Sequence, residues 1–344
     1  MANPEIVKYF DILYPNGIPA FIQEYLNVPE MLRLKGVGLF CGTDYNKIYN
    51  HRYFYSRFEH SIAVALLIWR FTGDEKQALA GLFHDIATPI FSHSVDFMNG
   101  DSLTQTSTEE RTHATIKSSG AITELLARDC TDLCMVDDYH LYPIADNDSP
   151  RLSADRLEYT LSTMLVWQGK WKLSDIKSIL DYIAIFENED GQDELGFCNL
   201  ESAEKFVTGS CIIGESFQRN ENKLCLNFLG DMLKECIKIG ILTIDDLYTF
   251  TESEVISLLS NAPDKHIQMA WKAYSQLESV YSSEDKPVGY YFVNIDAKKR
   301  YINPLVKLNG EIKRATLFSE KAKKTIDSFL LYSDKPYGYI NLKY

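Results

Sequence analysis

Nowhere does the chain carry an apolar run near the ~20 residues that a membrane-spanning helix requires, so no helical anchor is expected. Positive charge is also short. Thirty-five Lys and Arg stand against 48 Asp and Glu, a formal net charge of −13. Phosphate backbones and anionic bilayers are held by clustered cations. Neither nucleic acid nor membrane is therefore an expected partner, and only a local basic pocket for a small phosphate ester stays open. The seven cysteines are odd in number and lack CxxC spacing, which argues for reduced thiols rather than a disulfide framework. Cys130 and Cys134, four apart, read as small core residues. Met1-Ala2-Asn3-Pro4-Glu5 shows no basic stretch leading into an apolar one, and the expected location is the cytoplasm. Internal repeats and low-complexity tracts are absent.

What the chain does have is core material. Of its 344 residues, 45% are hydrophobic and 12% aromatic, enough for a large packed interior. Apolar periodicity predicts helices over 58–72 and 74–86, separated by Thr72-Gly73-Asp74, a helix stop followed by an N-cap. Ala87-Thr88-Pro89 ends the second, because a residue before proline avoids helical geometry. A polar loop over 100–111, a helix over 113–127 and an acidic, proline-punctuated loop over 137–150 follow. The helix expected over 151–166 places Asp155 and Tyr159 on one face. Ile183 to Phe186 and Leu195 to Phe197, around Asn188-Glu189-Asp190-Gly191, read as a hairpin. Residues 201–285 read as mostly helical. From Pro287 onward, strands at 289–293 and 301–306 precede a helix over 319–331. The expected fold is mostly α: an all-helical core over 1–230, a helical extension over 231–285 and a small α+β C-terminal subdomain over 286–344.

The chemistry concentrates at Phe83-His84-Asp85-Ile86. Ala78, Leu79, Leu82, Phe83 and Ile86 are spaced for a buried face. Imidazole and carboxylate placed beside that face lose hydration unless a charge compensates them. A divalent cation does so, since neutral histidines and ionised carboxylates are its ordinary ligands. His60, in Arg57-Phe58-Glu59-His60-Ser61, offers a third donor, and Asp155, in Ala154-Asp155-Arg156-Leu157-Glu158-Tyr159, a fourth. Two neutral nitrogens and two carboxylates balance a 2+ ion. The alternative reading makes His84-Asp85 a helix cap and His60 a satisfied core histidine.

This ordered His…His-Asp…Asp set resembles that of the HD-domain metal-dependent phosphohydrolases. Within them, the chain is most similar to the deoxynucleoside triphosphate triphosphohydrolases. The string His84-Asp85-Ile86-Ala87-Thr88-Pro89-Ile90-Phe91-Ser92-His93 and the lead-in Met31-Leu32-Arg33-Leu34-Lys35 add to the likeness, which covers roughly residues 5 to 230. It implies an HD-domain core and one divalent ion (Mn, Fe, Mg, Ni or Zn) on His60, His84, Asp85 and Asp155. It further implies a small phosphorylated substrate, a nucleotide, and a homo-oligomer. By the same resemblance, His113, Asp96 and His93 handle protons or phosphate oxygens. Arg57 is read as a bidentate phosphate ligand or the partner of a carboxylate, and Tyr159 as a wall beside a nucleoside or a packing residue. Thr88 stands where many relatives carry a second histidine, so His113 is expected to supply the acid, with Glu109 and Glu110 raising its pKa. Leu39 stands where relatives place a sugar-contacting glutamine. Ser210, Ile213 and Phe217 stand where relatives place triphosphate-binding arginine, histidine and tyrosine, with only Arg219 and Lys223 basic nearby. The expected activity is hydrolysis of a phosphate ester or anhydride. Cleavage of another small ester as a phosphomonoesterase or phosphodiesterase, and nucleotide sensing without turnover, are the alternatives.

Overall fold

A computed structural model describes residues 3–105 and 111–342. The helix Arg57–Thr72 is its axis. Ser56 caps it through a reciprocal pair with Glu59, and Gly73 closes it in the left-handed region at φ 63°. Every residue from His60 to Ile68 is buried, as expected of a helix surrounded on all sides. Asp74 caps the neighbouring helix Glu75–Phe83 through the Lys76 and Gln77 amides. The two helices lie so close at Gly81 that a Cβ there would sit 2.3 Å from Ile68 Cδ1.

The polypeptide packs around two hydrophobic clusters. The first joins the N-terminal helices, Arg57–Thr72, Glu75–Phe83, Ala154–Val166 and Leu200–Gln218. The second gathers Ile90 to Phe97, one face of Asn220–Lys238 and the helices Glu252–Ser260 and Lys265–Ser275. Among the described residues no helix is long and apolar enough to cross a membrane.

Among the described residues, seven short strands complete the fold: β1 Ile183–Glu187, β2 Asp193–Phe197, β3 Tyr281–Ser283, β4 Tyr291–Val293, β5 Leu305–Leu308, β6 Glu311–Arg314 and β7 Tyr337–Ile340. The expected hairpin is β1 and β2, antiparallel from Ile183↔Phe197 to Glu187↔Asp193. The first 230 residues are therefore not all helical. An isolated hairpin leaves an unpaired edge, and β5 covers it by pairing parallel to β2, giving a four-stranded sheet in the order β1-β2-β5-β6. The C-terminal α+β segment thus shares a sheet with the core; a second sheet, β3-β7-β4, is wholly antiparallel.

Several boundaries move for local reasons. The second metal-motif helix stops at Phe83 rather than at 86, where the His84 ring turns back onto the Gly81 carbonyl. The helix expected over 113–127 is two, Thr112–Ser118 and Gly120–Arg128, because Ser119 leaves helical geometry and caps the second through the Ile122 amide. Ser153 caps a helix that begins at Ala154 instead of at 151. Cys130 and Cys134 are exposed, not core.

Between β4 and β5, residues 294–304 form a strap without regular structure. Gln218 Nε2 donates to the Ala297 and Lys298 carbonyls at 3.1 Å each. Ser102 Oγ donates to the Asp296 carbonyl at 2.8 Å. At mid-helix, Gly214 lets the strap approach: a Cβ there would lie 2.4 Å from the Arg300 carbonyl oxygen. Gly→Ala inside a helix ordinarily gains up to about 1 kcal/mol. Here the methyl meets backbone, and Gly214→Ala is expected to lose about 1–3 kcal/mol, as over-packing does. Denaturant unfolding reads the sign; a stabilised variant would mean that the strap yields freely.

Candidate metal centre

Three segments bring four donors to one point. His60 lies in the first turn of Arg57–Thr72, His84 and Asp85 on the turn after Glu75–Phe83, and Asp155 in the first turn of Ala154–Val166. The Nε2 atoms of His60 and His84 are 3.2 Å apart. Asp155 Oδ1 lies 3.1 Å from the first and 3.8 Å from the second. Donor atoms of His60, His84 and Asp155 all fall within 4.8 Å of one another. Asp85 Oδ2 is 3.6 Å from His60 Nε2 and 3.4 Å from His84 Nε2.

Partners behind the donors aim them. His84 Nδ1 is 2.7 Å from the Gly81 carbonyl, an acceptor, so Nδ1 carries the hydrogen and Nε2 the lone pair. His60 Nδ1 meets the Glu158 carboxylate. Glu158 has no solvent exposure and also accepts from Tyr55 Oη at 2.7 Å and Tyr9 Oη at 2.9 Å. A carboxylate behind a ligating histidine fixes its tautomer and raises its basicity. Thr88 Oγ1 donates to Asp85 Oδ1 at 2.8 Å, and Arg57 Nη1 to Asp85 Oδ2 at 2.7 Å. Thr88 therefore orients a donor.

The electrostatics suit a cation. Burial disfavours an imidazolium at His60, yet Glu158 and Asp155 raise it to about 10. Burial likewise opposes ionisation of Asp155, but the His60 hydrogen bond and the His84 charge bring it to about 2. Asp85 lies far below the usual carboxylate range, because Arg57 and the two histidines outweigh its burial. This donor set, two nitrogens and two carboxylates, fits one divalent ion.

Next to the donors, the chain makes a strained turn. Phe91 and Ser92 adopt φ 54° and 46°, a conformation that costs non-glycine residues about 1–3 kcal/mol each. Ser92 Oγ accepts from Arg57 Nε at 3.2 Å, and the Phe91 amide donates to Glu252 Oε1 at 2.9 Å. So held, the turn presents His93, whose Nδ1 lies 2.9 Å from Asp96 Oδ2. Asp96 itself is fully buried and stands behind His93 rather than in the pocket. Desolvation lowers the His93 pKa; the Asp96 bond opposes this and the Arg300 charge adds to it. His113, with a side chain 55% exposed, faces Asp137 in a separate pocket that it shares with His84 and Asp85. Glu109 and Glu110 lie outside the described residues.

Glu252, fully buried, lies near Asp44, whose two carboxylate oxygens are shielded and find no hydrogen-bond partner among the described residues. Burial, with the Glu252 charge adding, pushes Asp44 up to about 8. An unfolded aspartate titrates near about 3.9. Between those values the unfolded chain has released a proton that the folded chain keeps, so this group's contribution falls as pH rises from about 4 to 8. Asp44→Asn should gain Tm on the parent across that interval; a constant offset would show that Asp44 does not titrate this way.

A pocket opens beside the donors where the two hydrophobic clusters meet. Arg57, His60, His93 and Asp155 form one end and Phe40, Trp167 and Phe217 the other, with Tyr159 along the wall and Lys298 and Arg300 of the strap above. Leu39 also lines it. Residues 57–129 match the HD domain family. That stretch of the chain is an HD domain. The HD match holds His60, His84, Asp85, His93, Asp96 and His113, whereas Asp155, Glu158 and Tyr159 lie beyond it. Uncharacterized protein YdhJ of Bacillus subtilis is 26% identical over 329 residues, spanning 91% of this chain and 93% of that one. Two crystal structures share the fold. A hypothetical protein from Aquifex aeolicus has TM-score 0.65 at 16% identity, over 94% of this chain and 92% of its own. A phosphohydrolase from Bacteroides thetaiotaomicron has TM-score 0.66 at 15% identity, over 95% and 97%.

Sequence reasoning passed over two parts of this HD site. Glu158 carried a signal, a carboxylate one turn after Asp155 on an otherwise apolar face. Lys298 and Arg300 carried a fainter one, a Lys-Lys-Arg run in an acidic chain. Of the three positions expected to lack triphosphate-binding side chains, Phe217 lines the pocket and Ser210 and Ile213 are buried; the nearby Arg219 pairs with Glu215.

Proposed function

We propose that the protein hydrolyses a small phosphorylated substrate that carries a flat ring, a nucleotide, with one divalent ion held by His60, His84, Asp85 and Asp155. The pocket carries this reading, since it has phosphate-suited groups at one end and rings at the other. Trp167 lies 5.6 Å from Phe217 and 5.8 Å from Phe40, centroid to centroid. Such rings take a nucleobase by stacking. When bound, the cation supplies Lewis-acid polarisation of a phosphoryl oxygen and acidifies water.

The chain's own residues do the rest. Arg57 sets Asp85 and turns its guanidinium to the pocket beside the donors. Tyr159, one turn after Asp155, walls the substrate in. His93 is the proton donor to the leaving oxygen: Asp96 holds its Nδ1, Nε2 is left for transfer, and a bound phosphoryl anion favours the imidazolium. His113, out in its separate pocket, contributes less.

A screen of nucleotides and aryl phosphates with several divalent ions tests the reading. Intact inorganic triphosphate as product identifies a triphosphohydrolase; orthophosphate from nucleotides and plain esters alike identifies a phosphatase. No turnover with the ion bound would favour nucleotide sensing. His93→Ala should cost ~10²–10⁴ in turnover on a nucleotide, less on an ester with an activated aryl leaving group, with metal content unchanged. If His113→Ala shows that pattern and His93→Ala does not, the acid is His113.

A further inference from the structure

We propose that Gln105 is a further catalytic residue, whose side-chain Nε2 donates to the phosphoryl group as negative charge develops on it. The inference rests on the hydrolytic reading given above, and it adds to that reading a neutral donor that no sequence motif marks.

Two cavities flank the metal donors. One is the ring-lined pocket, which reaches His60 and Asp155; the other is smaller and reaches His84 and Asp85. Arg57, His93 and Gln105 line both. A phosphoryl group presented to all four donors lies where the two cavities adjoin, and these three side chains bound that place. Arg57 and His93 already have roles there. Gln105 has none.

The orientation of its amide follows from its neighbour. A guanidinium can only donate, and Arg300 Nη2 is 2.6 Å from Gln105 Oε1, so the oxygen faces Arg300 and the NH₂ group faces away. Nε2 has no partner among the described residues, although Gln105 is only 9% exposed. An unpaired donor with so little access to water is unfavourable. So is its backbone, at φ 56° in the left-handed region. The segment keeps both because it is laced to the strap of residues 294–304. Ser102 Oγ donates to the Asp296 carbonyl at 2.8 Å, the Lys298 amide to the Ser102 carbonyl at 3.3 Å, and Lys298 Nζ to the Thr104 carbonyl at 3.1 Å. Neutrality also suits this position. Burial and the Arg300 charge already lower the His93 pKa against the pull of Asp96, and another cation would draw off the proton that His93 donates. An amide stabilises charge spreading over the phosphoryl oxygens without that effect.

Calorimetry on the metal-loaded protein, at constant free divalent ion, tests this with two anions that need no turnover. Orthovanadate takes the five-coordinate geometry of the transition state, and orthophosphate does not. Gln105→Leu should weaken orthovanadate by about 10–100-fold, the worth of one hydrogen bond to a charged group, and orthophosphate far less, with metal content unchanged. Turnover should fall by ~10²–10³ in kcat with little change in KM. Gln105→Glu separates the donor from the support. It keeps the side-chain length and turns the Arg300 contact into an ion pair, so a residue that only holds the strap would tolerate it. A donor would not, and this variant should lose orthovanadate affinity and kcat at least as strongly as Gln105→Leu. If Gln105→Leu fails to fold, Gln105→Glu decides alone. Parent-like orthovanadate affinity and kcat in Gln105→Glu overturn the assignment. Equal weakening of both anions in Gln105→Leu also overturns it, because the contact then serves the ground state. If the orthovanadate affinities fall as expected but no nucleotide is turned over, the proposed function fails and the role of Gln105 stands. If nucleotides are hydrolysed and Gln105→Glu matches the parent, the reverse holds.

Discussion

Alanine at Asp155 is expected to strip the protein of its metal equivalent and to bring turnover to background, with the fold intact. The reason for choosing Asp155 is its isolation. Among the described residues its side chain pairs with His60 and His84 alone, so truncation removes a ligand and half of the anionic charge and little else. Asp85 is the poorer probe. It also pairs with Arg57 and accepts from Thr88, and removing it leaves a buried guanidinium without a counter-charge, which costs about 3–5 kcal/mol. Elemental analysis of Asp155→Ala, with its thermal melt alongside the parent's, decides the matter. A full equivalent of metal in a folded variant would show that the centre lies elsewhere.

Glu158 should show a loss of both stability and metal. One carboxylate without solvent contact takes the His60 Nδ1 hydrogen and two tyrosine hydroxyls. Glu158→Ala orphans all three donors in the core, and by the usual cost of breaking a buried ionic cluster should lose about 3–5 kcal/mol. Metal affinity should fall by ~10–100-fold, because His60 loses the group that fixes its tautomer. Glu158→Gln separates the two effects. It keeps the shape and one acceptor, so the stability loss shrinks, but the amide carries no charge and the drop in metal affinity persists. Denaturant titration and a metal-binding isotherm on both variants measure this. If Glu158→Gln binds metal as the parent does, the carboxylate supports packing alone.

The local signals and the tertiary ones divide along a physical line. Thr72-Gly73-Asp74 announced a helix stop and a cap because both act within one turn, and the structure places Gly73 and Asp74 in those roles. His60, His84 and Asp155 were legible because metal donors are a small set of residue types, and a carboxylate or imidazole in an apolar run stands out by its desolvation cost. Of the C-terminal strands, β4 and the start of β5 were legible, whereas β3, β6 and β7 were not, and nothing local marked β5 as the partner of β2, since pairing depends on which edge is left open. The role of His93 was equally hidden: an aimed imidazole depends on a strained turn at Phe91 and Ser92 that Glu252 and Arg57 hold from distant parts of the chain.

By itself, then, the sequence determined the core helical runs near 58–83 and 154–166, the residue types of the candidate donors and the exclusion of a broadly basic surface, since each depends on residue type and near-neighbour spacing. Only the tertiary structure decided which carboxylate stands behind His60 and which histidine lines the pocket. It alone set the strap of residues 294–304 over a site more than a hundred positions earlier. Those are contacts between segments far apart in the chain, and no local periodicity encodes the close approach that a missing Cβ at Gly214 allows.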